Sequence, residues 1–200
     1  PYSPSHRSFQ KILHLSVPDL PDFADCAPAR DLVASPGFQQ RLAQLRAAEL
    51  IDYPAVAALK RPVLELLFRH FRDRHLAAGT ARAQAFHRFR EERGESLHRL
   101  TQFEAMSERL GRDEMGRDWR RWPAEMQDPD QPGSRRIAAE AAERRTFFAW
   151  AQWEAEGQIL AAAAAARDAG MRIGLYRDMA VANSPAGAAA WGNPGIVLPD

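Results

Sequence analysis

Apolar residues along this chain recur mostly at spacings of three and four, the period of an amphipathic helix, and only rarely form short unbroken runs. Ser35 is placed to cap the first clear pattern, with Pro36 at the first helical position and Phe38, Leu42 and Leu45 on one face. A second pattern begins near Asp52 and carries Val56, Leu59, Val63, Leu66, Leu67 and Phe71; Pro62 inside it predicts a kink or a break. Thr80 caps a third, which turns Phe86 and Phe89 inward and stops at Gly94, and Leu97, Leu100, Phe103, Met106 and Leu110 make a fourth stripe. The longest pattern, residues 134–169, exceeds an ordinary helix and predicts a break at 143–146. Phe147, Phe148, Trp150, Trp153, Ile159 and Leu160 supply its bulky core, and the consecutive alanines 161–166 let a neighbour approach closely.

Two runs depart from the helical period. Residues 12–17, closed by Pro18 and Pro21, read as a short strand, and residues 171–176, which follow a helix stop at Gly170, read as another. Two lone strands do not make a stable sheet. The expected fold is therefore mostly α with a few short β-strands, a helical middle interrupting a βα fold whose other strands lie outside this sequence. In a parallel α/β layout the carboxyl end of a strand faces the ligand, which makes Asp178 the first residue to suspect. Spacing alone favours a plainer reading, with Arg177 and Asp178 as a local ion pair or turn cap. Between the helical patterns, Trp119, Trp122 and Pro123 stand in a loop-like stretch, where tryptophan reads as a packing anchor ahead of a stacking platform.

Composition narrows the function classes. Two hundred residues with net charge +1 can bury a sizeable core and exert no strong pull on polyanions. The arginines Arg82, Arg88, Arg90, Arg93, Arg135, Arg136, Arg144 and Arg145 alternate with glutamates on helical faces, a solvated surface rather than a nucleic-acid interface. Cys26 is the single cysteine, and no secretory segment or membrane-length apolar span is present. A soluble protein of the reducing cytoplasmic compartment is expected, without membrane or nucleic-acid partners. The six histidines form no HExxH pair and have no cysteine partners, and GxSxG, GxGxxG and phosphate-loop motifs are missing, so neither metal nor cofactor is expected. Pro1 without a preceding methionine, and Asp200 directly after an apolar run, read as the ends of a piece of something longer.

Several stretches together resemble the 4-α-glucanotransferases (amylomaltases or disproportionating enzymes, glycoside hydrolase family 77). They are Pro1, Tyr2, Ser3, Pro4, Ser5 with Arg7; Ile51, Asp52, Tyr53 with Val56, Leu59 and Lys60; Trp119, Trp122, Pro123; Trp150, Gln152, Trp153, Gln158; and residues 174–181, continuing to Gly187 and Trp191. The sequence departs from the family's usual pattern at Lys11, Ser16, Ala182, Asn183, Ala189 and Ala190. The resemblance implies an incomplete (β/α)8 TIM barrel with a helical insertion subdomain: an early barrel loop and strand over 1–26, the insertion over 27–145, and a barrel helix, strand and loop over 146–200. It implies transfer of α-1,4-glucan segments between maltodextrins by a retaining double displacement, with the remainder of the barrel as a partner. It further implies Tyr2 and Asp178 as donor-sugar ligands and no catalytic residue in this chain, because the motifs bearing the catalytic carboxylates have no counterpart here. The alternative is a non-catalytic helical scaffold or glucan-binding module using Trp119, Trp122 and Trp191.

Overall fold

A computed structural model describes residues 3–111, 118–176 and 178–195; Tyr2 and Arg177, on which the sequence places expectations, lie outside them. The α-helices among these residues are α1 (Ala27–Ala34), α2 (Pro36–Ala47), α3 (Tyr53–Phe71), α4 (Ala81–Leu110), α5 (Pro132–Glu140), α6 (Ala142–Asp168) and the short α7 (Ala188–Trp191). Three of them begin where the sequence provides a side-chain acceptor. Ser35 Oγ accepts from Phe38 N at 3.4 Å, Asp52 Oδ1 from Ala55 N at 2.9 Å and Thr80 Oγ1 from Ala83 N at 3.3 Å, each satisfying an amide that the helix cannot.

The core forms where α3, α4 and α6 meet. Phe71, Phe86, Phe147 and Trp150 are fully buried there. Phe71 meets Phe86 edge-on at 5.5 Å, and Phe68 meets Phe147 at 5.6 Å, in the edge-to-face arrangement that aromatic quadrupoles favour. Arg144 on α6 ties the same three helices at their rim, pairing with Glu65 of α3 at 3.0 Å and Glu108 of α4 at 2.5 Å.

The strand expectations fail, and no strand occurs among the described residues. Residues 12–14 form a 3-10 turn, after which Leu15 and Val17 are buried against the helices rather than beside another strand. Residues 171–176 carry no regular structure, and Ile173 (88%) and Tyr176 (91%) are exposed. A strand needs a hydrogen-bonded neighbour, and these residues present none. Other differences are smaller. Pro62 sits inside α3 without ending it. Gly94 ends one helical segment as expected and a second follows it directly within α4, its φ of 50° and ψ of −136° being non-helical and open to glycine. The break in the long pattern falls at Ala141, two residues before the expected window. Of the alanines 161–166 only Ala166 is buried; Ala163 and Ala164 are half-buried, and Ala161, Ala162, Ala165 and Leu160 are exposed.

The segment before α1 lies against α6 through an arrangement that imitates β-pairing. Gln152 accepts from Gln10 N at 2.9 Å and donates to Gln10 O at 2.7 Å; Gln158 accepts from Ser16 N at 2.9 Å and donates to Ser16 O at 2.7 Å. Each side-chain amide satisfies both backbone groups of one residue. Lys60 Nζ adds bonds to Leu13 O and Leu15 O at 2.7 and 2.8 Å.

A second polar cluster is almost dry. Asp22 and Glu154, each 5% exposed, share Arg82, which donates to Asp22 Oδ2 at 2.8 Å and also to Glu154 Oε1. His75 Nε2 lies 3.2 Å from Asp22 Oδ1, and the Arg82 guanidinium stacks 4.7 Å over Trp153. Burial pushes Glu154 up to about 7, against the pull of Arg82 and with help from the charge of Asp22.

Two outcomes follow for stability. Gln158→Ala leaves the amide and carbonyl of Ser16 without their partners and lowers unfolding free energy by about 1–3 kcal/mol; urea denaturation measures it, and a loss indistinguishable from zero would show the clamp to be dispensable. Glu154 holds its proton more tightly folded than unfolded, so its favourable contribution is complete below its ordinary value of 4.5 and is lost as pH rises through about 7. Glu154→Gln keeps the shape of the protonated acid and flattens a pH-dependent loss of roughly 1–3 kcal/mol. Urea unfolding of both proteins across that window tests this, and parallel curves would refute it.

Candidate functional site

The two stretches that carry the sequence-predicted site residues come together in space. Ser5 is the hub: its Oγ accepts from Ala188 N at 2.9 Å and its carbonyl accepts from Ala189 N at 2.9 Å. Pro4 O accepts from Ser184 N at 2.8 Å. Arg7 closes the seam from the other side, donating its backbone N–H to Asn183 Oδ1 at 2.7 Å and a guanidinium N–H to Val181 O at 3.3 Å. At Gly187 a Cβ would lie 2.6 Å from Ser5 Cα and carbonyl oxygen, so only glycine permits this approach.

Buried tryptophans support the seam from beneath. Trp119 Nε1 donates to Pro185 O at 2.8 Å, and Trp191 Nε1 donates to Met126 O at 2.9 Å. Trp122 stacks on Phe103 at 5.4 Å and meets Trp191 edge-on at 6.0 Å. The anchor reading of Trp119 and Trp122 holds, and Trp191, fully buried, offers no face to a sugar.

Asp178 is exposed, between the exposed Tyr176 and Met179. Its suspected ion pair with Arg177 falls on a residue outside the described set. Tyr2 also lies outside it, directly before the residues that make the seam. The seam therefore joins the segment that follows Tyr2 to the segment that follows Asp178. Sequence reasoning missed Ser5, Asn183 and Gly187 as the residues that make this join. The Ser-Pro-Ser run and the single glycine before three alanines were the available signals, and Asn183 stood out only as a departure from the usual pattern.

Acid/base chemistry could superficially be sought at Asp22 and Glu154, the carboxylates buried most deeply among the described residues. Their geometry argues otherwise. Arg82 lies between them, His75 and Trp153 close the cluster, and two surface clefts, of about 280 and 400 Å³, are lined by other residues. An acid and a nucleophile must reach one bond from a cleft. Among the described residues no three His, Cys, Asp or Glu side chains cluster as metal ligands would, and no helix is long and apolar enough to cross a membrane.

The profile of a family described as 4-alpha-glucanotransferase matches residues 1–200. The 4-alpha-glucanotransferase of Haemophilus influenzae is 30% identical over 200 residues, covering 98% of this chain and 29% of that protein. The enzymes of the same name from Mycobacterium tuberculosis and Mycobacterium bovis are each 32% identical over 193 residues, covering 96% of this chain and 25% of theirs. The chain thus spans less than a third of the length of these curated relatives. Its full-length match, together with a seam, tryptophan anchors and glutamine clamps built from the stretches that carry the resemblance, gives the identification: this chain belongs to the 4-alpha-glucanotransferase family, glycoside hydrolase family 77.

Proposed function

We propose that these residues are the front part of a 4-α-glucanotransferase that moves α-1,4-glucan segments between maltodextrins, and that the seam forms part of the wall of its donor-sugar subsite. The observation that carries this reading is the joining of residues 4–7 to residues 181–189, which brings the neighbours of Tyr2 and Asp178 to one place. Tyr2 would lie against the apolar face of a glucose ring, and the carboxylate of Asp178 would accept hydrogen bonds from sugar hydroxyls.

In a retaining double displacement, a carboxylate attacks the anomeric carbon while a second carboxyl group protonates the departing sugar. The glycosyl-enzyme is then resolved by the hydroxyl of an acceptor glucan, whose proton returns to the second group. The motifs that bear those two groups have no counterpart in this sequence, so the chain alone is proposed to be inactive. The domain division at 26 and 145, the TIM barrel and a cytoplasmic setting belong to the same proposal. An uncovered apolar surface supports it: Leu160, Met171, Ile173, Leu175, Tyr176, Met179 and Val181 are all exposed, and a barrel would cover them. The alternative of a glucan-binding module loses its support, since Trp119, Trp122 and Trp191 are buried.

Incubated with maltotriose, the chain is expected to release no glucose and no longer maltodextrins, as read by anion-exchange chromatography; disproportionation by the pure chain would overturn its inactivity. In a longer form that disproportionates maltotriose, Asp178→Asn is expected to raise KM by about tenfold, the loss of a charged hydrogen bond to sugar. Gly187→Ala pushes Ser5 away, so the amides of Ser184 and Ala189 should exchange hydrogen faster by at least about tenfold. Gly157→Ala is the control. It lies in open space on α6 and should leave both amides protected.

A further inference from the structure

Arg145, on α6, differs from the other arginines that bind the helices together. Its neighbour Arg144 pairs with Glu65 and Glu108, Arg82 with Asp22 and Glu154, and Arg99 with Glu95 and Asp130. No carboxylate among the described residues lies within salt-bridge distance of Arg145. Its guanidinium instead donates to Ala138 O at 3.4 Å and lies 3.0 and 3.3 Å from the two ring nitrogens of His98, while its Nε is buried without a partner. Burial, and then the like charge of Arg90, push the pKa of Arg145 down, with Glu95 opposing. A half-buried guanidinium with no carboxylate in contact is a costly arrangement that an anion would relieve.

Arg145 and His98 open onto a cleft of about 280 Å³ between α4, α5 and α6, where Glu95, Gln102, Asp130 and Arg135 also stand. The acids at this cleft are already engaged. Arg99 donates to Glu95 at 2.8 Å and to Asp130 at 3.1 Å, and Arg135 reaches Asp130 at 3.4 Å, which holds the Asp130 carboxyl below its usual range. In the lining itself Arg135 and Arg145 balance Glu95 and Asp130; the positive excess comes from Arg99, which pairs with both acids, and from Arg90, which acts on Arg145 and His98 from outside the lining. His98 is pushed down by burial first and then by Arg145, with Arg99 and Arg90 acting in the same direction and Glu95 against them. An anion beside the ring would act against these effects and favour its protonated form.

We infer that this cleft is a binding site for a tetrahedral oxyanion of the phosphate type, held by the fork of Arg145 with His98 and Arg135 beside it. A guanidinium suits such a group because its N–H donors match paired oxygens. The volume is near the lower end, about 300 Å³, of small-molecule pockets, so the phosphate arrives free or on a single sugar, not on a polymer.

Sodium sulfate is the first probe, because its charge is constant through the histidine range. Titrated into the chain at ionic strength matched with sodium chloride, it should bind saturably and raise the His98 pKa followed by NMR. Arg145→Gln should weaken binding by about tenfold or more. No saturable response, or an equal response in Arg145→Gln, overturns the inference. If circular dichroism shows that Arg145→Gln loses helix, Arg135→Gln carries the test, its side chain being 69% exposed; unchanged sulfate binding there is equally fatal. Glucose 1-phosphate and inorganic phosphate then separate the two sources: tighter binding of the sugar ester identifies a sugar-borne phosphate, and equal affinity identifies the free ion.

Discussion

The segment before α1 has no strand to pair with, yet its backbone groups must be satisfied once Leu15, Val17 and Leu20 are buried. Gln152 and Gln158 meet that requirement from α6, two bonds at a time. The clamps also set the conformation of what lies between them. Six residues of helix rise about 9 Å, whereas the six residues from Gln10 to Ser16 would span about 20 Å as a strand. Both clamps can close only if the segment is shortened, and the 3-10 turn at Ile12–His14 shortens it. The strand expected there is thus incompatible with the glutamines that hold it, and the carbonyls of Leu13 and Leu15 fall to Lys60 instead.

Fixing this segment fixes what precedes it. With Gln10 pinned to α6, Ser5 and Arg7 are directed at the loop after Asp178, and the bonds from Ser184, Ala188 and Ala189 return to residues 4 and 5. Trp119 and Trp191 hold the loop at its base through their indole N–H groups, so that it is supported at Pro185 and again at α7. The seam has a backbone amide or carbonyl on at least one side of every hydrogen bond, with Ser5, Arg7 and Asn183 supplying the side-chain partners. Its geometry depends on close approach more than on side-chain identity, which is why Gly187 matters and why alanines suffice at 188–190.

The helices were legible because burial on one face imposes a period that a reader can see, and because Ser35, Asp52 and Thr80 announce their own capping bonds. Their ends were less legible. Pro62 is a residue that stops helices in isolation, but packing against α6 carries α3 through it, whereas Gly94 does divide α4 into two helical segments. The seam was legible only through resemblance. Ser5 lies some 180 residues from Asn183 and Gly187 along the chain, and no local pattern states that a serine carbonyl will meet a distant amide. The polar cluster around Arg82 was equally hidden, because its members come from four separate segments.

The remaining mismatch between sequence and structure is itself informative. Residues 171–176 read as a buried strand, yet Ile173 and Tyr176, and Val181 after them, are 88–94% exposed. Fully burying a side chain of this size contributes about 1.5–3 kcal/mol, so leaving three of them in water, with Leu160 on α6 exposed as well, forgoes a large stabilisation. Backbone pairing is forgone as well, since no neighbouring strand is present among the described residues. Both deficits have one remedy: a surface that supplies a hydrogen-bonding edge and an apolar face together. On the proposed reading of the chain as the front part of a barrel enzyme, the run after Gly170 is half of such an interface, a sequence written for contacts that the described helices do not make.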